Sequence, residues 1–219
     1  MASAVSGRGS FIVFEGGEGA GKSTQAQRLA AALEQAGRAV TLSREPGGSP
    51  GAEQLRQLLL EALPAGGWEP EAQALLHYAA RAEHLRKVIA PALAAGRWVI
   101  CDRFADSTEA YQGAGLTLGP EVLRTLRRLI VGELEPDLVL VLDLDPEAGL
   151  GRARRRSGQA DSYERLDLTF HQRVRAAFQD IAARGGERYT VIDAAAPIDS
   201  VENAVFDAVE RRLGARLRS

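Results

Sequence analysis

Short apolar runs alternate with amphipathic stretches along most of the chain. The runs are largely continuous rather than alternating in polarity, which is typical of strands that are buried on both faces of a sheet. They predict five strands, at residues 11–15, 39–43, 98–101, 138–143 and 189–192.

Between these runs, apolar residues recur at the three- and four-residue spacing of helices. In the first such stretch Leu29 and Leu33 lie on one face, and Gly37 ends the pattern. Pro91 falls inside a long stretch and is expected to kink or restart that helix. The predicted helices are residues 22–35, 51–63, 70–95, 120–132, 146–156, 166–184 and 198–213.

The alternation of strand and helix predicts an α/β fold, with a parallel sheet covered by helices on both faces. No repeat or long linker divides the sequence, so we expect one domain over residues 10–214 after a flexible N-terminal tail at residues 1–9. The polar segment at residues 157–163 contains glycine between two helical patterns and is the best candidate for a mobile loop.

Composition narrows the classes of function. The chain has 219 residues, 45% of them hydrophobic and 26% charged, as in ordinary globular proteins. A net charge of −2 gives no overall basic surface for nucleic acid, and no apolar run is long enough to span a membrane. The first ten residues hold no apolar stretch, which argues against a secretory signal, and a single cysteine, Cys101, fits a reducing cytoplasm.

Residues 16–23 match the phosphate-binding pattern G-x-x-x-x-G-K-[ST] between a predicted strand and a predicted helix. Glycines let backbone N–H groups converge on phosphate oxygens, Lys22 supplies a cation and Ser23 a hydroxyl for Mg²⁺. The sequence therefore predicts a nucleoside triphosphate site. The guanine-reading pattern Asn-Lys-x-Asp is absent, since Asn203 is the only asparagine and is followed by Ala204.

Further polar residues follow the predicted strands, where ligands bind in open α/β sheets. Arg44 follows the second strand, and Asp102 and Arg103 follow the third; a carboxylate here suits Mg²⁺, and an arginine can hold a phosphate with two hydrogen bonds. Gln112 has both a donor and an acceptor with which to read a base edge.

Two arrangements lie on predicted helices. His77 and Arg81 are four residues apart and so share a helix face, from which one can stack on a planar ligand while the other hydrogen-bonds to it. A dense cationic cluster follows the fourth strand and favours an anionic partner. Its members are Arg152, Arg154, Arg155 and Arg156.

Together these motifs resemble the bacterial thymidylate kinases over about residues 10–213. The resemblance rests on residues 15–23, 44–48, 79–81, 102–103, 107–108 and 110–113. It implies the P-loop nucleoside monophosphate kinase fold with strand order 2-3-1-4-5, a homodimer, and Mg²⁺-dependent transfer of phosphate from ATP to dTMP.

The resemblance also implies roles for individual residues. Ser23 and Asp102 would serve Mg²⁺, and Glu18 would lie near the dTMP 3′-hydroxyl and phosphate. The ATP site would comprise Gly16, Gly17, Glu18, Gly19, Ala20, Gly21, Lys22, Ser23 and Thr24.

The same resemblance assigns the acceptor site. Arg44 and Arg103 would face the dTMP phosphate, while Tyr111 would lie against the sugar and favour deoxyribose. Arg81 and Gln112, with Ser107 or Thr108, would read thymine, with His77 against the base. The implied catalytic residues are Lys22, Glu18, Arg103, Arg154 and Arg156.

Three features bear on this assignment. Gly19 follows Glu18, so the P-loop holds no arginine and the catalytic arginine is expected in a lid at about residues 152–164. His77 stands where the family usually has phenylalanine, and Ser162 stands where the lid usually has arginine. A kinase for another nucleoside monophosphate or a deoxynucleoside is the nearer alternative, and a non-catalytic ATP-binding switch is the more distant one.

Overall fold

A five-stranded parallel sheet forms the centre of the computed structural model, which describes residues 7–60, 67–157 and 162–217 and, for Arg156 and Ser157, the backbone alone. The strands are β1 (Phe11–Gly16), β2 (Val40–Arg44), β3 (Trp98–Asp102), β4 (Leu138–Asp143) and β5 (Tyr189–Asp193). Their order is β2-β3-β1-β4-β5, which confirms the expected topology.

Helices lie between the strands in sequence. They are α1 (Lys22–Gln35), α2 (Pro50–Leu60), α3 (Pro70–His84), α4 (Ala90–Ala94), α5 (Ala105–Thr108), α6 (Pro120–Ile130), α7 (Pro146–Ser157), α8 (Leu168–Gly185) and α9 (Ile198–Leu213). Two π-helical segments, Leu85–Ile89 and Glu109–Gly115, and a 3₁₀ turn, Gly186–Arg188, complete the described elements.

The core has two layers, one on each face of the sheet. Along β1, Phe11 and Val13 belong to the apolar cluster that includes residues of α3 and α8, whereas Ile12 and Phe14 belong to the cluster that includes residues of α1 and α9. Every residue of β1 is buried, as expected for a central strand covered on both sides. The α/β class predicted from the continuous apolar runs is confirmed.

The long predicted helix at residues 70–95 is divided near Pro91, as expected. A proline ring removes one N–H donor and collides with the carbonyl four residues earlier, here that of Lys87. The π-helical segment Leu85–Ile89 contains this position, and α4 begins at Ala90 with Pro91 in its first turn. The irregular turn thus accommodates the proline without a break in the chain direction.

Several boundaries differ from the predictions. Strand β2 begins one residue later than expected and extends to Arg44, which pairs with Asp102 at the end of β3. Helix α5 and the following π-helical segment were not predicted as helical, because their polar residues and glycines lack a regular apolar period. Near the predicted N-terminal tail, Arg8 bonds to Asp137, and the Gly9 N–H donates to the carbonyl of Leu93.

Candidate active site

The phosphate-binding loop follows β1 directly and leads into α1. Gly16, Gly19 and Gly21 have φ values of 134°, 66° and 89°, a region that favours glycine. A Cβ at Gly19 would lie 2.0 Å from the carbonyl oxygen of Gly149, so this turn also requires the absence of a side chain. Lys22 Nζ donates to the carbonyls of Gly16 (3.1 Å) and Gly17 (2.7 Å), which holds the cation against the loop.

The Lys22 ammonium is buried and lies near a second cation, Arg103. Burial and that neighbour lower the pKa of Lys22 to about 8, although Glu18 and Asp102 act in the opposite direction. An anionic phosphate at this position would favour the charged ammonium. The loop therefore provides a cation whose charge is best compensated by a bound anion.

Ser23 and Asp102 form a pair of oxygen ligands beside this lysine. Ser23 Oγ donates to Asp102 Oδ2 at 2.5 Å, across the gap between the start of α1 and the end of β3. A hydroxyl and a carboxylate suit Mg²⁺, which takes few protein ligands when it also binds phosphates. The donor set of Ser23 and Asp102 fits such a shared site. Among the described residues no cluster of three or more His, Cys, Asp or Glu side chains is suited to a metal.

Arg103 connects the phosphate-binding loop to the segment after β3. Its backbone has a φ of 72°, uncommon for a residue with a side chain. The guanidinium donates to Glu18 Oε1 (2.8 Å), Tyr111 Oη (3.0 Å), Ser107 Oγ (3.2 Å) and the carbonyl of Gly16 (3.0 Å). These contacts fix the position of the planar cation at the mouth of the loop.

Glu18 is a largely buried carboxylate, 13% exposed, that stays ionised. Burial alone would raise its pKa, but the charges of Arg103 and Lys22 and a hydrogen bond from Tyr111 lower the pKa to about 2. A permanent negative charge beside two cations can accept a hydrogen bond from a substrate hydroxyl.

Glu15, near the end of β1, holds the segment after Arg103 through hydrogen bonds. Glu15 Oε1 accepts from the N–H groups of Phe104 (2.9 Å) and Ser107 (3.2 Å), and Oε2 contacts Ser107 Oγ at 2.5 Å. Burial, and then the negative charge of Asp106, raise the pKa of Glu15 to about 8. Glu15 thus anchors the start of α5 without facing the cleft.

Arg81 lies deeper in the same cleft and is 2% exposed. Its Nε donates to Glu45 Oε2 (2.7 Å), and its Nη2 donates to the carbonyl of Phe104 (2.9 Å) and to Thr108 Oγ1 (3.1 Å). The third nitrogen, Nη1, is buried and has no hydrogen-bond partner among the described residues. A buried guanidinium N–H is rarely left without an acceptor, so Arg81 Nη1 is available to bind an oxygen atom of a ligand.

His77 and Gln112 line the cleft near Arg81, together with Tyr163. His77 Nε2 and Gln112 Nε2 lie 2.9 and 2.8 Å from Tyr163 Oη. Burial, and then the cations Arg81 and Arg103, lower the pKa of His77 to about 3, so the imidazole is neutral at physiological pH. A neutral ring of this kind can lie against an uncharged base.

The arginines of α7 whose side chains the structure describes do not line this cleft. Arg152 donates to the carbonyl of Ala194 (2.8 Å), in a depression that also involves Gly19 and Thr24 at the start of α1. Arg154 is exposed and does not line the cleft. The side chain of Arg156 and residues 158–161 of the predicted lid fall outside the described part of the chain.

Comparison with known proteins places this geometry in a family. The family model described as "Thymidylate kinase" matches residues 14–205. The chain belongs to the thymidylate kinase family. A thymidylate kinase of Bradyrhizobium sp. strain ORS 278 is 52% identical over 209 residues, covering 94% of this chain and 92% of the relative. A thymidylate kinase of Caulobacter vibrioides is 51% identical over 207 residues, covering 94% and 99%.

Solved structures agree with the sequence relatives. The crystal structure of the thymidylate kinase from Ehrlichia chaffeensis matches with a TM-score of 0.76 and 32% identity, covering 92% of this chain and 99% of that chain. No helix in the described part of the chain is long and apolar enough to cross a membrane.

Most residues that the resemblance to thymidylate kinases assigned to the acceptor site converge on one cleft. The cleft is lined by Glu18, Lys22, Ser23, Arg44, His77, Arg81, Asp102, Arg103, Ser107, Thr108, Tyr111 and Gln112. Arg56 also lines the cleft, and Arg44 is the most exposed of its four arginines and bonds to Glu53.

Sequence reasoning missed four side chains that shape the site: Glu15, Glu45, Gln73 and Tyr163. Glu45 is buried and bridges Arg81 and His84, with Oε1 3.0 Å from His84 Nδ1. Gln73 carried a signal in the sequence, since it precedes His77 by four residues on α3. Tyr163 carried none, because its contacts with α3 and with Gln112 join residues 51 to 90 positions apart in the sequence.

Proposed function

We propose that this protein phosphorylates dTMP to dTDP with ATP as donor and Mg²⁺ as cofactor. One observation carries the proposal: a single cleft joins the cations Lys22 and Arg103, at the phosphate-binding loop, to a buried pocket in which Arg81 Nη1 has no acceptor among the described residues. A site for a triphosphate alone would not require the second, deeper part. Membership of the thymidylate kinase family supports the choice of substrate.

Transfer between two phosphate groups depends on alignment and on neutralisation of charge. We assign the ATP phosphates to residues 16–24 and the dTMP phosphate to Arg44 and Arg103, which brings both groups against Lys22. The acceptor oxygen of dTMP is already ionised, so no general base is required. Mg²⁺, when bound by Ser23 and Asp102, would supply further positive charge to the donor phosphates.

The remaining residues position the acceptor. Glu18 stays ionised and is assigned to the 3′-hydroxyl of dTMP, while Tyr111, bonded to Glu18 and Arg103, packs where a 2′-hydroxyl would lie. Arg81 and Gln112 are assigned to the base, and His77 to its face. We further propose that a lid at about residues 152–164 brings Arg154 or Arg156 over the phosphates and excludes water.

A screen of acceptors tests the function. Purified protein with Mg²⁺ and ATP is assayed for ADP formation with dTMP, dUMP, dCMP and thymidine. We expect dTMP to give the highest kcat/KM and thymidine none. A preference for another acceptor would replace the substrate assignment, and ATP binding without turnover of any acceptor would favour a non-catalytic switch.

We also propose that residues 10–214 form one kinase domain, that the protein acts in the cytoplasm and that two copies form a homodimer. The buried, unpaired Cys101 is compatible with a reducing compartment. Support for a dimer comes from large apolar side chains on the surface of two neighbouring helices, namely Leu75 of α3 and Val122 and Leu129 of α6.

A further inference from the structure

Three polar side chains project from one side of α3 at intervals of four residues: Gln73, His77 and Arg81. His77 and Arg81 line the cleft. Gln73 lies one turn further toward the N-terminus of the helix and touches the cleft through Gln112 and Tyr163. Its contacts determine which way the Gln112 side chain can point.

The orientation of the Gln73 amide is set by a backbone carbonyl. Gln73 Nε2 donates to the carbonyl of Trp68 at 3.0 Å, just before α3 begins. A carbonyl can only accept, so the nitrogen of this amide must face Trp68. The oxygen, Oε1, therefore faces inward, where it lies 3.0 Å from Tyr163 Oη and 3.2 Å from Gln112 Nε2.

Gln73 Oε1 in turn fixes the orientation of the Gln112 amide. The hydroxyl proton of Tyr163 is donated to Gln73 Oε1, so Tyr163 Oη can only accept from its other neighbours. Gln112 Nε2 supplies one hydrogen to Tyr163 Oη at 2.8 Å and one to Gln73 Oε1. The second donor to Tyr163 Oη is His77 Nε2, at 2.9 Å. The neutral imidazole must therefore carry its proton on Nε2.

Two polar atoms, Gln112 Oε1 and Arg81 Nη1, thus remain without a hydrogen-bond partner among the described residues. Both hydrogens of Gln112 Nε2 are used, and no described residue hydrogen-bonds to Gln112 Oε1, which leaves an acceptor for a ligand. Arg81 Nη1 is a donor that has no partner within the described ranges of the chain. Thymine presents a 4-oxo acceptor beside an N3–H donor, whereas cytosine presents a 4-amino donor beside an N3 acceptor.

We propose that Gln73 is a positioning residue that selects the base: it holds the Gln112 amide with its oxygen toward the ligand, so that the pocket accepts 4-oxo pyrimidines and rejects 4-amino pyrimidines. This inference rests on the proposed function, because it assumes that a pyrimidine occupies the pocket. In the absence of the Gln73 acceptor the Gln112 amide can turn over and offer a donor instead.

Two substitutions at one position separate polarity from packing. Gln73→Leu keeps a similar volume but removes both the acceptor and the donor to the Trp68 carbonyl, while Gln73→Glu loses that donor but keeps an acceptor for Gln112 and Tyr163. Steady-state kinetics with dTMP, and with dCMP as substrate or as competitive inhibitor, give the discrimination between the two bases. We expect Gln73→Leu to raise the KM for dTMP about tenfold with little change in kcat, and to lower the preference for dTMP over dCMP by about tenfold.

Gln73→Glu should restore most of the preference, which a purely structural role of Gln73 would not explain. Glu71→Leu introduces the same leucine at an exposed position of α3 and serves as the matched control, with unchanged KM. Wild-type preference for dTMP in Gln73→Leu overturns the inference, as does an equal loss in Gln73→Leu and Gln73→Glu. Failure of the wild-type protein to phosphorylate dTMP overturns the proposed function instead.

Discussion

Two glutamates near the carboxyl end of β1 have pKa values that are shifted in opposite directions, because their neighbours differ. Glu18 faces the cations Arg103 and Lys22, and its pKa falls to about 2. For Glu15, three positions earlier in the chain, burial and then the negative charge of Asp106 raise the pKa to about 8. One carboxyl group thus stays charged in the cleft, and the other is kept protonated at neutral pH beneath the start of α5.

The raised pKa of Glu15 predicts a pH-dependent contribution to stability. Below pH 4.5 this carboxyl is protonated in both the folded and the unfolded chain. Between pH 4.5 and about 8 only the unfolded chain ionises, so the folded state loses relative stability as the pH rises. Glutamine at this position resembles the protonated acid, since its oxygen can accept from Phe104 N and Ser107 N and its nitrogen can donate to Ser107 Oγ.

We therefore expect Glu15→Gln to gain thermal stability relative to wild type as the pH is raised from 5 to 8, by at least about 2–4 °C in Tm. Thermal unfolding followed by circular dichroism at several pH values measures this difference. Glu133→Gln, at an exposed position, controls for the loss of one negative charge. A Tm difference that stays constant over this pH range would show that Glu15 has the same protonation in the folded and unfolded states.

At the scale of elements, the C-terminal part of α7 is rich in arginine, and the arginines with described side chains do not line the cleft. Arg152 is bonded to Ala194, and Arg154 is exposed. The phosphate-binding loop contains no arginine, and at Gly19 its conformation has no space for a side chain. Besides Lys22 and Arg103, a further cation for the transition state would have to come from another element, and α7 touches the loop through the close approach of Gly149 to Gly19.

This arrangement predicts a selective loss of turnover on removal of the α7 arginines. We expect Arg154→Ala or Arg156→Ala to lower kcat by about 10³-fold with little change in the KM for dTMP, because a cation that acts only in the transition state contributes little to substrate binding. Arg211→Ala, on the exposed side of α9, controls for the loss of one positive charge. Retention of wild-type kcat in both α7 variants would remove the lid from the mechanism.

The elements that the sequence predicted best are those with a strong period. The five strands and the helices α1 and α9 follow continuous or periodic apolar runs, and their alternation predicted a parallel sheet, whereas the strand order was implied by the resemblance to thymidylate kinases. The segment from Ala105 to Gly115 was missed because its helical turns are stabilised by tertiary contacts, such as the bonds from Phe104 N and Ser107 N to Glu15. Hydrogen bonds of this kind leave no periodic trace in the sequence.

The same limit applies to the candidate site. The residues at strand ends were predictable, because parallel strands bring their carboxyl ends to one edge. The polarity of the Gln112 amide was not, because it depends on Trp68, Gln73 and Tyr163, which meet only in the folded chain. Residue types therefore indicated what the cleft binds, whereas the fold determines how each polar group is oriented.

At the scale of the whole molecule, exposed apolar side chains on α3 and α6 support the proposed dimer. Leu75 is 56% exposed and Leu129 72% exposed, on helices that pack against each other. Val122 precedes Leu129 by seven residues and so shares its face of α6. Apolar side chains concentrated on neighbouring elements are typical of surfaces that a partner covers.

Charged substitutions on these helices test the dimer directly. We expect Leu75→Glu and Leu129→Glu to shift the mass in sedimentation or light scattering from dimer to monomer and to weaken self-association at least about tenfold, because a carboxylate would be buried without a partner. Leu168→Glu, at an exposed leucine at the start of α8, is the matched control and should remain dimeric. Since Gln73, His77 and Arg81 belong to the same helix as Leu75, monomeric variants should also bind dTMP more weakly. A wild-type protein that sediments as a monomer would exclude the dimer, and dimers that persist in both variants would place the interface on another face.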